Sequence, residues 1–510
     1  MQRLPIGIQD FEKLRTENYL YIDKTSQIYD LVDGSGYYFL SRPRRFGKSL
    51  MVSTLKNIFL GKKELFKGLF IENKIEWTTF PVIHLDFAVG DYKQLGLYNY
   101  LQQKIVQNAE KYQIEIEAES IGFALEELIQ KLHKKYNQKV VVLIDEYDKP
   151  IIDFLGKDEI HIAEKNREIM KSFYSPIKGL DGSIRFFLLT GVSRFSKVSI
   201  FSDLNNLQDI TVNRLGYTLV GCTEIELHHY FKEFITFISQ ETNQTEEETK
   251  KEIRDWYNGY SFGGEKLYNP FSILNFMFDR EFNNYWFATG TPTFLVKLMR
   301  EQHYYDMDNT KIDLDSLGNF DITNLKPISI LFQTGYLTLV EKLDINMYRL
   351  GYPNKEVKNS MLRILLETYT YTGAGFAIPL VIDLKEAFLS HDFETFFIHF
   401  NTLFASIPSL IFQKERESYY HSIIFITFKL LGFYIDAEVH TSIGRIDAVV
   451  KTETHIYILE FKVNDTAQKA IEQIREKKYA EKYLNENKKI ILIGVNCQEK
   501  TITEYIIEEL

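Results

Sequence analysis

Tyr37-Tyr38-Phe39-Leu40 is an apolar run, Ser41 to Gly47 a short basic turn, and Lys48 to about Leu60 a stretch of helical character. A strand, a turn and a helix in that order aim the helix N-terminus past the strand end. The turn reads Arg42-Pro43-Arg44-Arg45-Phe46-Gly47-Lys48-Ser49. This layout suits a phosphate group, because turn N–H groups and the positive end of the helix dipole converge on an anion. Arg45, Phe46, Gly47, Lys48, Ser49 and Leu50 would form the cradle. Lys48 would reach the β and γ phosphates of ATP, and Ser49 would hold Mg²⁺. The pattern G-x-x-x-x-G-K-[ST] begins with glycine where this chain has Arg42, so the loop signature is incomplete by itself.

A second segment completes the argument. Val140 to Ile144 are five consecutive apolar residues, followed by Asp145 and Glu146. Such a run reads as a strand buried on both faces, as in a parallel sheet covered by helices. Ligands bind at the carboxyl ends of such strands. Asp145 would hold the Mg²⁺ shell, and Glu146 would orient or deprotonate the attacking water. Ser183 to Arg194 reads as another buried strand with a polar end. There Thr190 takes the place of a γ-phosphate sensor in a RecA-like ATPase. Arg194 would touch a nucleotide in cis or in trans, or cap the sheet; both readings stay open. Strands near 37–40, 81–87, 140–145 and 183–194 alternate with helices at 48–60, 91–112 and 118–136. The fold expected is a doubly wound α/β layer.

At 510 residues the chain exceeds a single core. We read a P-loop domain at 1–215, a helical lid or winged-helix-like region at 216–385, and a further α/β domain at 386–510. With 39 Phe and 32 Tyr, aromatic-rich cores are expected. A formal net charge of −10 argues against nucleic acid along the whole surface but permits a local basic groove. Two cysteines, Cys222 and Cys497, make neither a disulfide framework nor a zinc spacing. Met1 to Asp10 lacks a signal-peptide layout, and no apolar run reaches the 18 or so residues of a membrane span. A cytoplasmic protein without a membrane partner is expected.

The middle region has turn-rich aromatic clusters. Trp256 to Tyr260 has the composition of a helix end, and Pro270 is pre-set to open a helix. Gln333 to Thr338 and Met347 to Leu350 look like the two strands of a hairpin.

The carboxyl-terminal segment reads αβββαβ: a helix from Glu417 to Leu430, strands at 435–440, 446–451 and 455–461, a helix at 466–484 and a strand at 489–495. Gly444-Arg445-Ile446-Asp447 opens the second strand, and Glu460-Phe461-Lys462 ends the third. Positions i and i+2 of a strand face the same way, so Glu460 and Lys462 project together. A short hairpin brings Asp447 beside Glu460. Two carboxylates suit Mg²⁺ or Mn²⁺, and Lys462 would position or activate a nucleophile. Glu417 would be an outer metal ligand. Arg475, Lys477, Lys478 and Lys482 would supply a local phosphate-contacting patch.

Asp447 and Glu460-Phe461-Lys462 resemble the D…E-x-K signature of the PD-(D/E)XK nuclease superfamily, and Gln473 with Tyr479 resembles the Gln-plus-Tyr feature of RecB-type members. Including Leu4-Pro5-Ile6-Gly7, Tyr21 to Thr25, the loop from Arg42, and the Trp256 and Asn269 motifs, the whole chain resembles bacterial AAA-ATPase-like proteins of STAND type that carry such a nuclease. The resemblance implies that Arg42 is a family feature. It also implies a RecA-like P-loop ATPase joined to a restriction-endonuclease-like domain. Nucleic acid would be the partner, DNA before RNA, and self-association is compatible with the reading. The alternative is a signalling or scaffold ATPase whose last domain binds without cleaving.

Overall fold

Five parallel strands build the first sheet: β1 (Tyr37–Ser41), β2 (Val82–Asp86), β3 (Val140–Asp145), β4 (Ile184–Gly191) and β5 (Leu207–Asp209), in the order β2-β3-β4-β1-β5. The computed structural model describes all residues except 35, 89, 157, 195–203, 205, 288–294, 297–298, 301–303, 305–306, 309, 318–325, 371–374, 407–415, 433–435, 443–444 and 499–500; of 377, 416–421 and 436–442 and 445–447 it describes the backbone alone. Parallel pairing needs long crossovers, and the helices Lys48–Phe59, Leu97–Lys111, Ile121–Tyr136 and Ile160–Tyr174 supply them. β3 is buried at every position, as its unbroken apolar run requires. β4 lies between β1 and β3, so three adjacent strands end at one edge carrying the loop, Thr190 and Asp145. The stretch expected as one helix at 91–112 is two, Tyr92–Leu95 and Leu97–Lys111. Gly96 between them takes φ 75°, which breaks the helical hydrogen-bond run.

The chain divides into two units: Met1–Thr291 with Met307–Val357, and Pro292–Asp306 with Lys358–Leu510. Beyond the sheet, the first unit has helices Glu224–Tyr230, Lys232–Glu241 and Glu246–Tyr257. Thr223 and Thr245 close capping boxes on the first and last of these. A two-stranded ribbon follows, β6 (Asn258–Tyr260) and β7 (Leu267–Tyr268), then the helix Pro270–Asp279. Asn269 caps that helix by accepting from the Phe271 and Ser272 N–H groups, with Pro270 in its first turn as expected. Leu227, Phe231, Ile235, Ile253, Ile273 and Phe276 share one core. A three-stranded antiparallel sheet, β8 (Thr310–Asp313), β9 (Thr338–Asp344) and β10 (Met347–Gly351), has the order β8-β10-β9. The β9–β10 hairpin was expected to begin at Gln333. Residues Pro327–Thr334 form a helix instead, ended by Gly335 at φ 92°, and the strand starts at Thr338.

In the second unit, helices Ala377–Leu389, Phe393–Ala405 and Arg416–Leu431 precede a mixed sheet. Its strands are β11 (Asp436–Ser442), β12 (Arg445–Lys451), β13 (His455–Val463), β14 (Lys489–Gln498) and β15 (Thr501–Glu509), in sequential order, with only β13 and β14 parallel. The αβββαβ order holds, and β15 adds an antiparallel edge strand that the sequence reading stops short of. The helix expected at 466–484 ends at Glu476, because Lys478 turns to φ 55° and only a short 3-10 turn, Glu481–Tyr483, follows.

Candidate functional site

The loop after β1 is held from within. Lys48 is buried, and its Nζ donates to the carbonyls of Arg42 at 3.0 Å and Pro43 at 3.1 Å. Burial pulls the Lys48 ammonium below the ordinary lysine range, and the nearby carboxylates of Glu146, Asp145 and Asp148 oppose that shift. Among the described residues, the N–H groups of Gly47, Lys48, Ser49 and Leu50 have no protein acceptor. These are donors that a helix start leaves open. Gly47 adopts φ 93° and Arg45 φ 65°. Phe46 is buried edge-on against Tyr260 and Phe262, and the exposed Arg45 lies over the Phe271 ring at 5.1 Å.

Arg42, in the place of the first glycine, is a latch. Its guanidinium is 1% exposed. It donates to the carbonyls of Ser41 (2.8 Å), Thr211 (2.8 Å) and Gly216 (2.5 Å), and stacks 3.9 Å from the Phe262 ring centroid. Burial lowers its pKa to about 9, with Asp209 pulling the other way. Gly216 has no room for a side chain, since a Cβ would lie 1.9 Å from the Ile210 carbonyl oxygen. Arg42→Ala strands three backbone acceptors and is expected to cost about 3 kcal/mol in chemical denaturation.

Asp145 is buried at the end of β3. Its Oδ1 accepts from the Thr190 hydroxyl and from the Glu146 N–H at 3.0 Å. Thr190 and Asp145 thus meet across β3 and β4. Glu146 sits half-buried at φ 51°, which turns it out of the strand. Arg194 pairs with Asp209 through Nε at 2.5 Å, and its N–H donates to Gln333 Oε1 at 3.0 Å. In this geometry Arg194 braces the end of β5. Asp148 was not singled out from the sequence, although it stands three residues after Asp145. Its buried carboxylate accepts from the N–H groups of Val192 (3.0 Å) and Ser193, and burial raises its pKa to about 6.

Beside the loop lies an apolar cavity of about 90 Å³. Pro5, Tyr21, Ile22, Gly47, Leu50 and Val220 are among its walls. Lys24, paired with Glu226 at 2.6 Å, lies on the same wall.

In the second unit, β12 and β13 pair Asp447 directly with Glu460. Gly444 and the side chains of Asp447 and Glu417 lie outside the described residues. Glu460 is fully buried. Lys462 Nζ reaches Glu460 Oε1 at 3.3 Å and also donates to Gln473 Oε1, while Gln473 Nε2 donates to Glu460 Oε1. The three side chains form a closed triangle. Gly494 makes it possible. It is the residue paired with Glu460 on β14, and a Cβ there would lie 2.3 Å from the Ala467 carbonyl oxygen. Only a bare glycine lets the helix Ala467–Glu476 settle close enough for Gln473 to reach Glu460. Gly494→Ala is therefore expected to lose about 1–3 kcal/mol by thermal or chemical unfolding. The register sets Asp447 opposite Glu460, a pairing of carboxylate residues that would suit a hard divalent cation. The proposed basic patch is partly neutralised: Arg475 pairs with Glu508 and Lys478 with Glu481.

Residues 5–201 match the family model described as predicted AAA-ATPase, and residues 415–506 match that of the PD-(D/E)XK nuclease superfamily. The chain is 37% identical over 525 residues to the uncharacterized protein in the vnfD 5′ region of Azotobacter chroococcum mcd 1, covering 100% of this chain and 99% of that protein. The chain belongs to the AAA-ATPase-like family that ends in a PD-(D/E)XK domain. Within this AAA-ATPase-like protein the first family region takes in β1–β4 of the parallel sheet, and the second takes in β11–β14 and most of β15. No helix among the described residues is long and apolar enough to cross a membrane.

Proposed function

We propose that this AAA-ATPase-like protein binds and hydrolyses ATP and that its nucleotide state controls a metal-dependent nuclease. The observation that carries the reading is the Glu460–Lys462–Gln473 triangle with Asp447 in register beside it. A purely structural sheet has no need of a buried carboxylate and a lysine fixed by a third side chain.

In the first unit the open N–H groups of Gly47 to Leu50 take the phosphates, with Lys48 released from its own loop carbonyls to meet them. The apolar cavity beside Gly47 and Leu50 takes the base. Ser49 and Asp145 would hold Mg²⁺, Thr190 fixes Asp145, and Glu146 orients the water. In the second unit Asp447 and Glu460 would hold Mg²⁺ or Mn²⁺, with Glu417 further out. Such an ion supplies Lewis-acid stabilisation of phosphate charge and a water of lowered pKa. Lys462, kept in place by Gln473, steadies the nucleophile or the developing negative charge. The setting proposed is defence against foreign DNA or nucleic-acid processing, in the cytoplasm, with DNA before RNA as substrate.

The pairing of Arg475 and Lys478 with carboxylates favours a second reading, in which the last domain binds a partner without cleaving. One assay separates the two. Purified protein with ATP and Mg²⁺ or Mn²⁺ is offered single- and double-stranded DNA and RNA. Metal-dependent cleavage of any of these supports the nuclease; tight, uncleaved binding supports the scaffold.

A further inference from the structure

Trp286 and Glu356 lie outside every motif described above, yet they grip the phosphate loop from behind. The Trp286 indole Nε1 donates to the Arg44 carbonyl at 3.0 Å, and Asn269 Nδ2 stands 3.5 Å from the same oxygen. The backbone N–H of Trp286 donates to Glu356 Oε1 at 2.6 Å. The other oxygen of Glu356 accepts from Ser272 Oγ at 2.8 Å. Glu356 is fully buried, and burial pushes its carboxyl up to about 7. The indole is itself packed, with the Tyr260 and Tyr336 rings 6.2 and 5.2 Å away. Gly335 completes the fit, since a Cβ there would lie 2.7 Å from Pro43 of the loop and 3.4 Å from the indole.

The consequence follows from peptide geometry. In a trans peptide the C=O and the next N–H point in opposite directions, and the described chain has no cis bond. A carbonyl of Arg44 drawn toward the indole turns the Arg45 N–H to the far side. The Phe46 carbonyl, which accepts from the Gly221 N–H at 3.1 Å, does the same for the N–H of Gly47. Two outward carbonyls thus preset two inward donors. An anion then meets backbone donors that need no turning, and affinity not spent on ordering them is kept.

We infer that Trp286, held by Glu356, is a positioning residue for nucleotide: its indole N–H presets the Arg44–Arg45 peptide so that the Arg45 N–H faces the phosphates. The inference rests on the phosphate-loop reading above.

Trp286→Phe keeps an aromatic ring and removes the donor. Calorimetry with ATP and with adenosine reads the effect. ATP binds about fivefold more weakly, the worth of one hydrogen bond. Adenosine has no phosphate and binds as it does to the wild type. Glu356→Ala reproduces the loss for ATP, because the Trp286 N–H then loses the carboxylate that accepts from it. Glu356→Gln, which keeps an acceptor for Trp286 and a donor for Ser272, retains wild-type affinity. An unchanged ATP affinity in Trp286→Phe overturns the inference, as do equal losses for ATP and adenosine or equal losses in Glu356→Gln and Glu356→Ala. Each of these leaves the phosphate loop standing. A wild-type protein that does not bind ATP overturns both readings together.

Discussion

Lys462→Ala abolishes cleavage of nucleic acid, by about a thousandfold, while binding of Mn²⁺ stays the same or tightens. The physical reason is the sign of the charge. An ammonium repels a cation held by Asp447 and Glu460, yet attracts the negative charge that develops on phosphate. Its position is fixed, since Nζ is bound by both Gln473 and Glu460. Asp447→Ala behaves differently and loses metal binding and cleavage together. Mn²⁺ titration by calorimetry beside a cleavage assay separates the two variants. Cleavage that survives Asp447→Ala places the activity outside this site.

Lys48→Ala weakens ATP binding by about a hundredfold, the loss of charge-assisted hydrogen bonds to the phosphates. Lys48 is a buried cation of the loop, close enough to Glu146, Asp145 and Asp148 for their carboxylates to favour its charge. Its removal takes a positive charge away from those carboxylates as an anion arrives. Glu146→Gln keeps ATP binding and stops turnover, because glutamine keeps the side chain's size at the half-buried position while losing the base that would activate the water. Equilibrium binding together with phosphate release distinguishes them. ATP bound by Lys48→Ala as tightly as by the wild type contradicts the phosphate-loop assignment.

How far these sites were legible in the sequence depends on the range of the interactions. The apolar run Val140–Ile144 and the turn before Lys48 are local signals, and both resolved into the expected strand and helix start. The strand pairing that sets Asp447 opposite Glu460 was also readable, because a three-residue connection allows little choice of register. Arg42 was not readable from its neighbours. Two of its acceptors, Thr211 and Gly216, come from about 170 residues away, so the residue looks like a damaged glycine until the fold closes. Trp286 and Glu356 are hidden for the same reason. Gly494 carried a faint signal, a glycine inside an otherwise apolar strand, which marks a close approach. The early end of the helix at Glu476 left none, since its amphipathic pattern continues past the residue that turns to positive φ. β15 was missed because its alternation is interrupted by exposed Tyr505 and Ile507 at an edge.

The central claim is that the nucleotide site governs the nuclease site. Cleavage is measured for the wild type and for Lys48→Ala, each with and without saturating ATP, at fixed Mg²⁺ and salt. The account predicts that ATP changes the wild-type rate by about tenfold or more, the scale of an ordinary coupling free energy, and leaves the Lys48→Ala rate unmoved. Wild-type cleavage at the same rate with and without ATP contradicts it.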